Sequence, residues 1–168
     1  LTADVTSIGL TAGLDITTAD ALLAATTVTA TAGQDVALGG TVTATAGAAT
    51  ITGGRHVTTI ATGDVTADLI AITATNGSVT LAGTLTADVT SIGLTAGLDI
   101  TTADALLAAT TVTATAGQDV ALGATVTATA GAATITGGRG VTSTAAGDVT
   151  GDSVAITATL DDVTLAGT

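Results

Sequence analysis

Apolar and small polar residues alternate along this chain in short runs, and the runs break at glycine. Val28-Thr-Ala-Thr-Ala-Gly33 leads into Gln34-Asp-Val36-Ala-Leu38. Val42-Thr-Ala-Thr-Ala-Gly47 and Ile72-Thr-Ala-Thr-Asn-Gly77-Ser-Val79-Thr-Leu81 repeat the pattern, and Ile8-Gly-Leu-Thr-Ala-Gly13-Leu-Asp-Ile16 is a looser version. A period of two is that of a strand with one face in a core and the other in water. The glycine at each break is expected to supply a bend that a Cβ resists. Each run therefore predicts a short strand, a corner and a second short strand.

The runs belong to a larger repeat. Residues 1–84 and 85–168 align without a gap and are identical at 73 of 84 positions, and 1–39 recur unchanged as 85–123. Most of the 11 differences fall at 56–62 and 67–78. The first unit divides further into 1–19, 20–40, 41–63 and 64–84. Matching Ala3-Asp-Val-Thr-Ser-Ile8 to Ala67-Asp-Leu-Ile-Ala-Ile72, and Leu38-Gly-Gly-Thr-Val-Thr to Leu81-Ala-Gly-Thr-Leu-Thr, supports that division. Self-similarity on this scale points to a solenoid. The expected fold is an all-β parallel β-helix (β-solenoid), with about 21 residues per coil and four coils in each 84-residue unit. Parallel crossovers favour the right-handed form. Eight coils at roughly 4.8 Å each make a rod about 38 Å long.

Parity predicts which side chains face the lumen. They are Ile8, Leu10, Ala12 and Ile16 in the first coil, and Val28, Ala30, Ala32, Val36 and Leu38 in the second. Val42, Ala44, Ala46 and Ile51 serve the third, and Ile70, Ile72, Ala74, Val79 and Leu81 the fourth. The two copies offer an internal check. Ile70 becomes Val154 and stays apolar, so it should point inward; its neighbour Leu69 becomes Ser153, so it should point outward.

Composition narrows the function. The formal net charge is −12, every acid is Asp, and the cations are Arg55 and Arg139, with His56 if protonated. Nucleic-acid binding needs clustered Lys and Arg, so no such partner is expected. An anionic membrane surface should repel the chain. No apolar run approaches the ~18 residues of a membrane helix. A membrane barrel would show aromatic girdles, and the chain has no aromatic residue. No membrane insertion is expected. Without Cys there is neither a disulfide framework nor a thiolate metal site. Cys, Met and aromatic side chains are all missing, which suits exposure to oxidants outside the cell. The chain starts at Leu1 rather than Met, and neither Leu1-Thr-Ala-Asp nor Leu165-Ala-Gly-Thr is a polar cap. An excerpt of a longer array, or rods that stack end to end, is expected.

Gln34-Asp-Val-Ala-Leu-Gly-Gly-Thr-Val-Thr-Ala-Thr-Ala-Gly47 and Gly77-Ser-Val-Thr-Leu-Ala-Gly-Thr-Leu-Thr-Ala-Asp88 resemble the filamentous-haemagglutinin-type repeats of large bacterial exoproteins. The resemblance extends over nearly the whole chain. It implies a right-handed β-helix exported by two-partner secretion, extracellular or on the cell surface, and serving as an adhesive or structural stalk. The near-perfect 84-residue repeat and the lack of Lys and aromatics depart from that pattern.

Few residues suggest chemistry. Asp15 and Asp35 follow their corners, and Asp161 and Asp162 replace Gly77 and Ser78 in the second copy, so stacked carboxylates could offer oxygens to Ca2+. The alternative is solvated turn aspartates, and the calcium-binding nonapeptide pattern is absent. The pairs Thr29/Thr31, Thr43/Thr45 and Thr73/Thr75 could form a flat outward array like that of ice-binding solenoids, broken where Gly9 stands beside Thr11. Thr is equally an ordinary strand residue. His56 becomes Gly140 and should sit with Arg55 on a solvated corner. Asn76-Gly-Ser78 has the form of a glycosylation sequon but reads better as a turn. No nucleophile–base pair, phosphate loop or zinc spacing can be assembled. No catalytic, cofactor-binding or metal residue is therefore assigned. The expectation is a non-enzymatic structural segment that self-associates end to end or packs side by side, with a binding module as the alternative.

Overall fold

The computed structural model describes residues 1–3 and 6–167. Asp4, Val5 and Thr168 lie outside the described residues, and with them the Asp4-Val5 part of the match to Asp68-Leu69. Among the described residues every regular element is a strand, and every strand pairing is parallel. The chain winds through eight stacked coils, four per 84-residue unit, as a β-solenoid. Each coil has three straight runs. In the second coil they are Leu22–Ala24, Val28–Ala32 and Val36–Leu38. Stacking the first and second runs builds one 14-stranded sheet, and stacking the third builds an 8-stranded sheet.

The coil repeat is not constant. Val42 pairs with Val65, 23 positions on, whereas Val65 pairs with Leu85, 20 positions on. Corners absorb the difference, so the strands stay in register. The first and second runs even fuse into single strands at Val42–Gly53 and Val65–Ala74. In the second unit the same stretches are divided, as at Val126–Ala128 and Ala132–Gly137.

The lumen is filled as parity predicts, with informative exceptions. Val28, Ala30, Ala32, Val36 and Leu38 are buried, as are Ile70, Ile72, Ala74, Val79 and Leu81. Ile70 is buried while Leu69 is 37% exposed, as the copy comparison requires. Ala46 is exposed instead of inward. The first run ends at Ala44, and the register shifts between Ala44 and Ala48, so alternation cannot be carried through the corner. Ile8 stacks through Val28 and Ala49 onto Ile70 rather than Ile72. The fourth coil turns its first corner two residues sooner than the fifth, since Ala67 pairs with Ala87 while Ile70 pairs with Ile92.

Large and small side chains alternate along one lumen column. Leu38 pairs with Thr59, and Leu81 pairs with Thr102, which in turn pairs with Leu122. A Thr next to each of these Leu residues leaves room for the longer side chain, which keeps the narrow interior dense. Thr59 Oγ1 also accepts from the N–H groups of Ala82 and Gly83, at 3.1 and 3.3 Å. The buried Thr102 hydroxyl has no such partner.

The corner glycines act differently from expectation. None among the described residues has a positive φ, so a left-handed bend is not their purpose. A Cβ at Gly33 would sit on the Gly13 carbonyl oxygen of the coil below, and one at Gly54 on that of Gly33. Absence of a side chain lets backbones of adjacent coils approach.

Candidate functional site

The corner after the second run brings together most of the polar side chains singled out in the sequence. Asp15, Asp35, His56, Ser78, Asp99 and Asp119 lie one above another, and each accepts a hydrogen bond from the backbone N–H of its successor. Asp15 Oδ1 accepts from Asp35 N at 3.0 Å, and Asp35 Oδ1 from His56 N at 3.0 Å. His56 Nδ1 accepts from Ser78 N at 3.1 Å, and Ser78 Oγ from Asp99 N at 3.3 Å. Asp99 Oδ1 accepts from Asp119 N at 3.2 Å, and Asp119 Oδ1 from Gly140 N at 2.9 Å. Gly140 has no side chain, and the ladder stops there. A chain that turns a corner leaves N–H groups without strand partners, and an acceptor one coil below satisfies them. The ladder therefore explains why Asp, Ser and His all serve at one place: each offers an acceptor at the same reach.

This arrangement gives the predicted calcium residues a concrete role. Asp15 and Asp35 do stack, and each uses an oxygen to hold the next coil. Asp161 turns to Arg139, 3.5 Å away, rather than converging with Asp162. Among the described residues no three acidic or histidine side chains converge. His56 differs from expectation: it is half-buried within the ladder, while Arg55 lies exposed and contacts Asp35 at 3.5 Å and Gln34 Oε1 at 3.2 Å. Asn76 donates through Nδ2 to Gly54 O at 3.0 Å, which ties it to the turn.

The threonine array is rearranged. Thr31, Thr52, Thr73, Thr95, Thr115 and Thr136 stack in one column, continued by Thr11 below and Thr157 above. One Thr per coil is thus unbroken through all eight coils. The neighbouring outward column cycles through Gly9, Thr29, Thr50 and Ala71, then Gly93, Thr113, Thr134 and Ala155. Thr43 is not part of this array. It stands on the first run, between Leu23 and Thr66; Thr45 falls in the stretch between Ala44 and Ala48 where the register shifts, and Thr75 just past the strand Val65–Ala74. Val42-Thr-Ala-Thr-Ala-Gly47 copies Val28-Thr-Ala-Thr-Ala-Gly33 residue for residue, yet the two occupy different sides of the coil. Alternation says which residues face in; it does not say which side of a solenoid they belong to. The unbroken column could have been found by aligning on the Ala32-Gly33 corner instead of on the Thr-x-Thr pair.

At each end of the rod the apolar lining comes to the surface. Leu1 is exposed and Leu10 and Ala12 are half-buried on the first coil, and Val154, Val163 and Leu165 are exposed on the eighth. The depression lined by Leu1, Leu10, Ile16 and Leu22 is the mouth of the lumen.

Compared with protein-family models, curated proteins and solved structures, the chain matches none. The class of the molecule, a β-solenoid built from two near-identical four-coil units, therefore rests on its own geometry.

Proposed function

We propose that the chain is a rigid structural segment of an extracellular bacterial fibre, filament or surface-adhesin stalk, acting as spacer and scaffold without catalysis. One observation carries the reading: the boundary between the units is built like any other step. Val65 N–H donates to Thr84 O at 2.9 Å, Ile70 N–H to Ser91 O at 3.0 Å, and Val79 N–H to Asp99 O at 2.9 Å. Inside the first unit Val42 N–H donates to Asp64 O at 2.8 Å and Val57 N–H to Ser78 O at 3.1 Å. A unit that joins its copy without a seam can be repeated to any length, and rigidity follows from ladders that run unbroken along the stack. The strong negative charge keeps such an apolar rod dispersed. The test is a series of proteins with two, three and four units. Small-angle scattering should show rods of constant cross-section that lengthen by about 19 Å per unit, from four ~4.8 Å steps. Flexible strings of separate beads would overturn the reading.

The unbroken threonine column favours a second reading, a binding face for ordered water, ice or a glycan. None of its eight hydroxyls makes a protein hydrogen bond among the described residues. Thermal hysteresis, or retention on a glycan array that is lost on Thr52→Val and Thr115→Val substitution, would move this reading to the front.

A further inference from the structure

We infer that the eighth coil of one chain is a docking surface for the first coil of a second copy, joined head to tail in the register that the fourth and fifth coils already display. The inference rests on the scaffold reading and names its partner.

The junction between the fourth and fifth coils is a worked example of the proposed contact. There Val65 pairs with Leu85, Ile70 with Ile92, Ile72 with Leu94 and Val79 with Ile100. Each of these residues is buried. The fifth coil, 85–102, is identical in sequence to 1–18, so the lower face of the chain carries the same residues. The upper face is a close copy of the fourth coil, with Val154 for Ile70 and with Ile156, Val163 and Leu165 matching Ile72, Val79 and Leu81. Both faces therefore carry the side chains that the molecule itself buries against one another.

The backbone is poised in the same way. At the internal junction Gly97 N–H donates to Ala74 O at 2.9 Å, and Leu98 N–H to Gly77 O at 2.9 Å. In the proposed contact, Gly13 N–H of the second copy reaches Ala158 O, and Val154 N–H reaches Ser7 O of that copy. The substitutions at the upper corner are compatible. Ser78 Oγ accepts from Asp99 N–H within the chain, and Asp162 offers an acceptor in the corresponding place to Asp15 N–H of the second copy. The polar ladder interrupted at Gly140 would restart there. The outward columns also keep their phase, since Ala155 of one copy precedes Gly9 of the next as Ala71 precedes Gly93.

The contact is heterologous: the two surfaces differ, and joining them leaves one of each free. Such an interface does not close and yields filaments. The carboxylates at both ends repel, so growth should strengthen as salt rises.

The chain lacks Cys, so introduced thiols report the register alone. Thr11 and Thr157 point outward and correspond to Thr95 and Thr73, which pair across the internal junction. A Thr11→Cys/Thr157→Cys variant, oxidised at a concentration where the parent sediments as oligomers, should give a ladder of covalent multimers. Each single variant should give none. In a second arm, Ile156→Lys blocks the upper face and Leu10→Lys the lower. Each variant alone should stay monomeric with unchanged far-ultraviolet circular dichroism, and a mixture of the two should stop at a dimer. Covalent dimers from a single-cysteine variant, filaments from either lysine variant, or a parent chain that stays monomeric at millimolar concentration in high salt would overturn the inference. A monomer that still scatters as a rod of about 38 Å, from eight ~4.8 Å steps, would leave the scaffold reading standing while removing the docking.

Discussion

The fourth and eighth coils are near copies in sequence and opposites in exposure. Ile70 is 1% exposed and its counterpart Val154 46%; Leu81 is 1% exposed and Leu165, the same residue type, 46%. Nothing within the coil accounts for the difference. The fourth coil is covered by the fifth, and the eighth is covered by nothing within the chain. Burial in a solenoid is thus a property of the step between coils. A single coil has too little enclosed apolar surface to offset the entropy of ordering it, and stability accumulates through nearest neighbours.

The largest expected effect comes from cutting the same side chain in both coils. Ile72→Ala opens a cavity between two neighbours and should cost about 3–4 kcal/mol, whereas Ile156→Ala should cost under about 1 kcal/mol. Chemical denaturation of the two variants measures the gap, and equal losses would remove the comparison. Next come the corner glycines. Gly33→Ala places a methyl group on the Gly13 carbonyl and should destabilise by about 1–3 kcal/mol, as overpacking does. Gly9 has no atom within 4 Å of an added Cβ, so Gly9→Ala should be neutral or stabilise by up to about 1 kcal/mol.

The lumen threonines sharpen the comparison further. Thr59→Val leaves the Ala82 and Gly83 N–H groups without their acceptor and should cost about 1–2 kcal/mol. Thr102→Val removes a buried hydroxyl that has no partner and should raise stability by about 1 kcal/mol. Thermal melts of the pair should move in opposite directions. A small loss is expected at the polar ladder. His56→Gly, which makes the first unit like the second at this place, removes the acceptor for Ser78 N–H and should cost about 0.5–1 kcal/mol. Amide exchange at Ser78 would report that loss locally.

Much of this architecture is legible in the residues. The period of two and the 84-residue duplication lead to a parallel solenoid and to most of the lumen, because inward apolar positions repeat wherever a strand is straight. Corners are where legibility fails. Ala46 continues an alternation that the backbone has already abandoned, and Thr43 imitates Thr29 from a different side of the coil. Strand chemistry is common to all three sides, so composition cannot tell them apart. The acceptor ladder was hidden for a related reason. Asp, His and Ser share no label in the sequence, and only their common reach to the N–H above unites them.

The central claim is that the rod passes from one unit to the next without a seam. Native-state hydrogen exchange tests it most directly, using the Leu10→Lys variant so that free ends stay free. The amides of Val65, Ile70 and Val79, which donate across the boundary, should be protected as strongly as those of Val42 and Val57 within the first unit. Protection should fall away only toward the first and eighth coils. Exchange at Val65, Ile70 and Val79 as fast as in those end coils would mean that the two units are separate bodies, and would contradict the account.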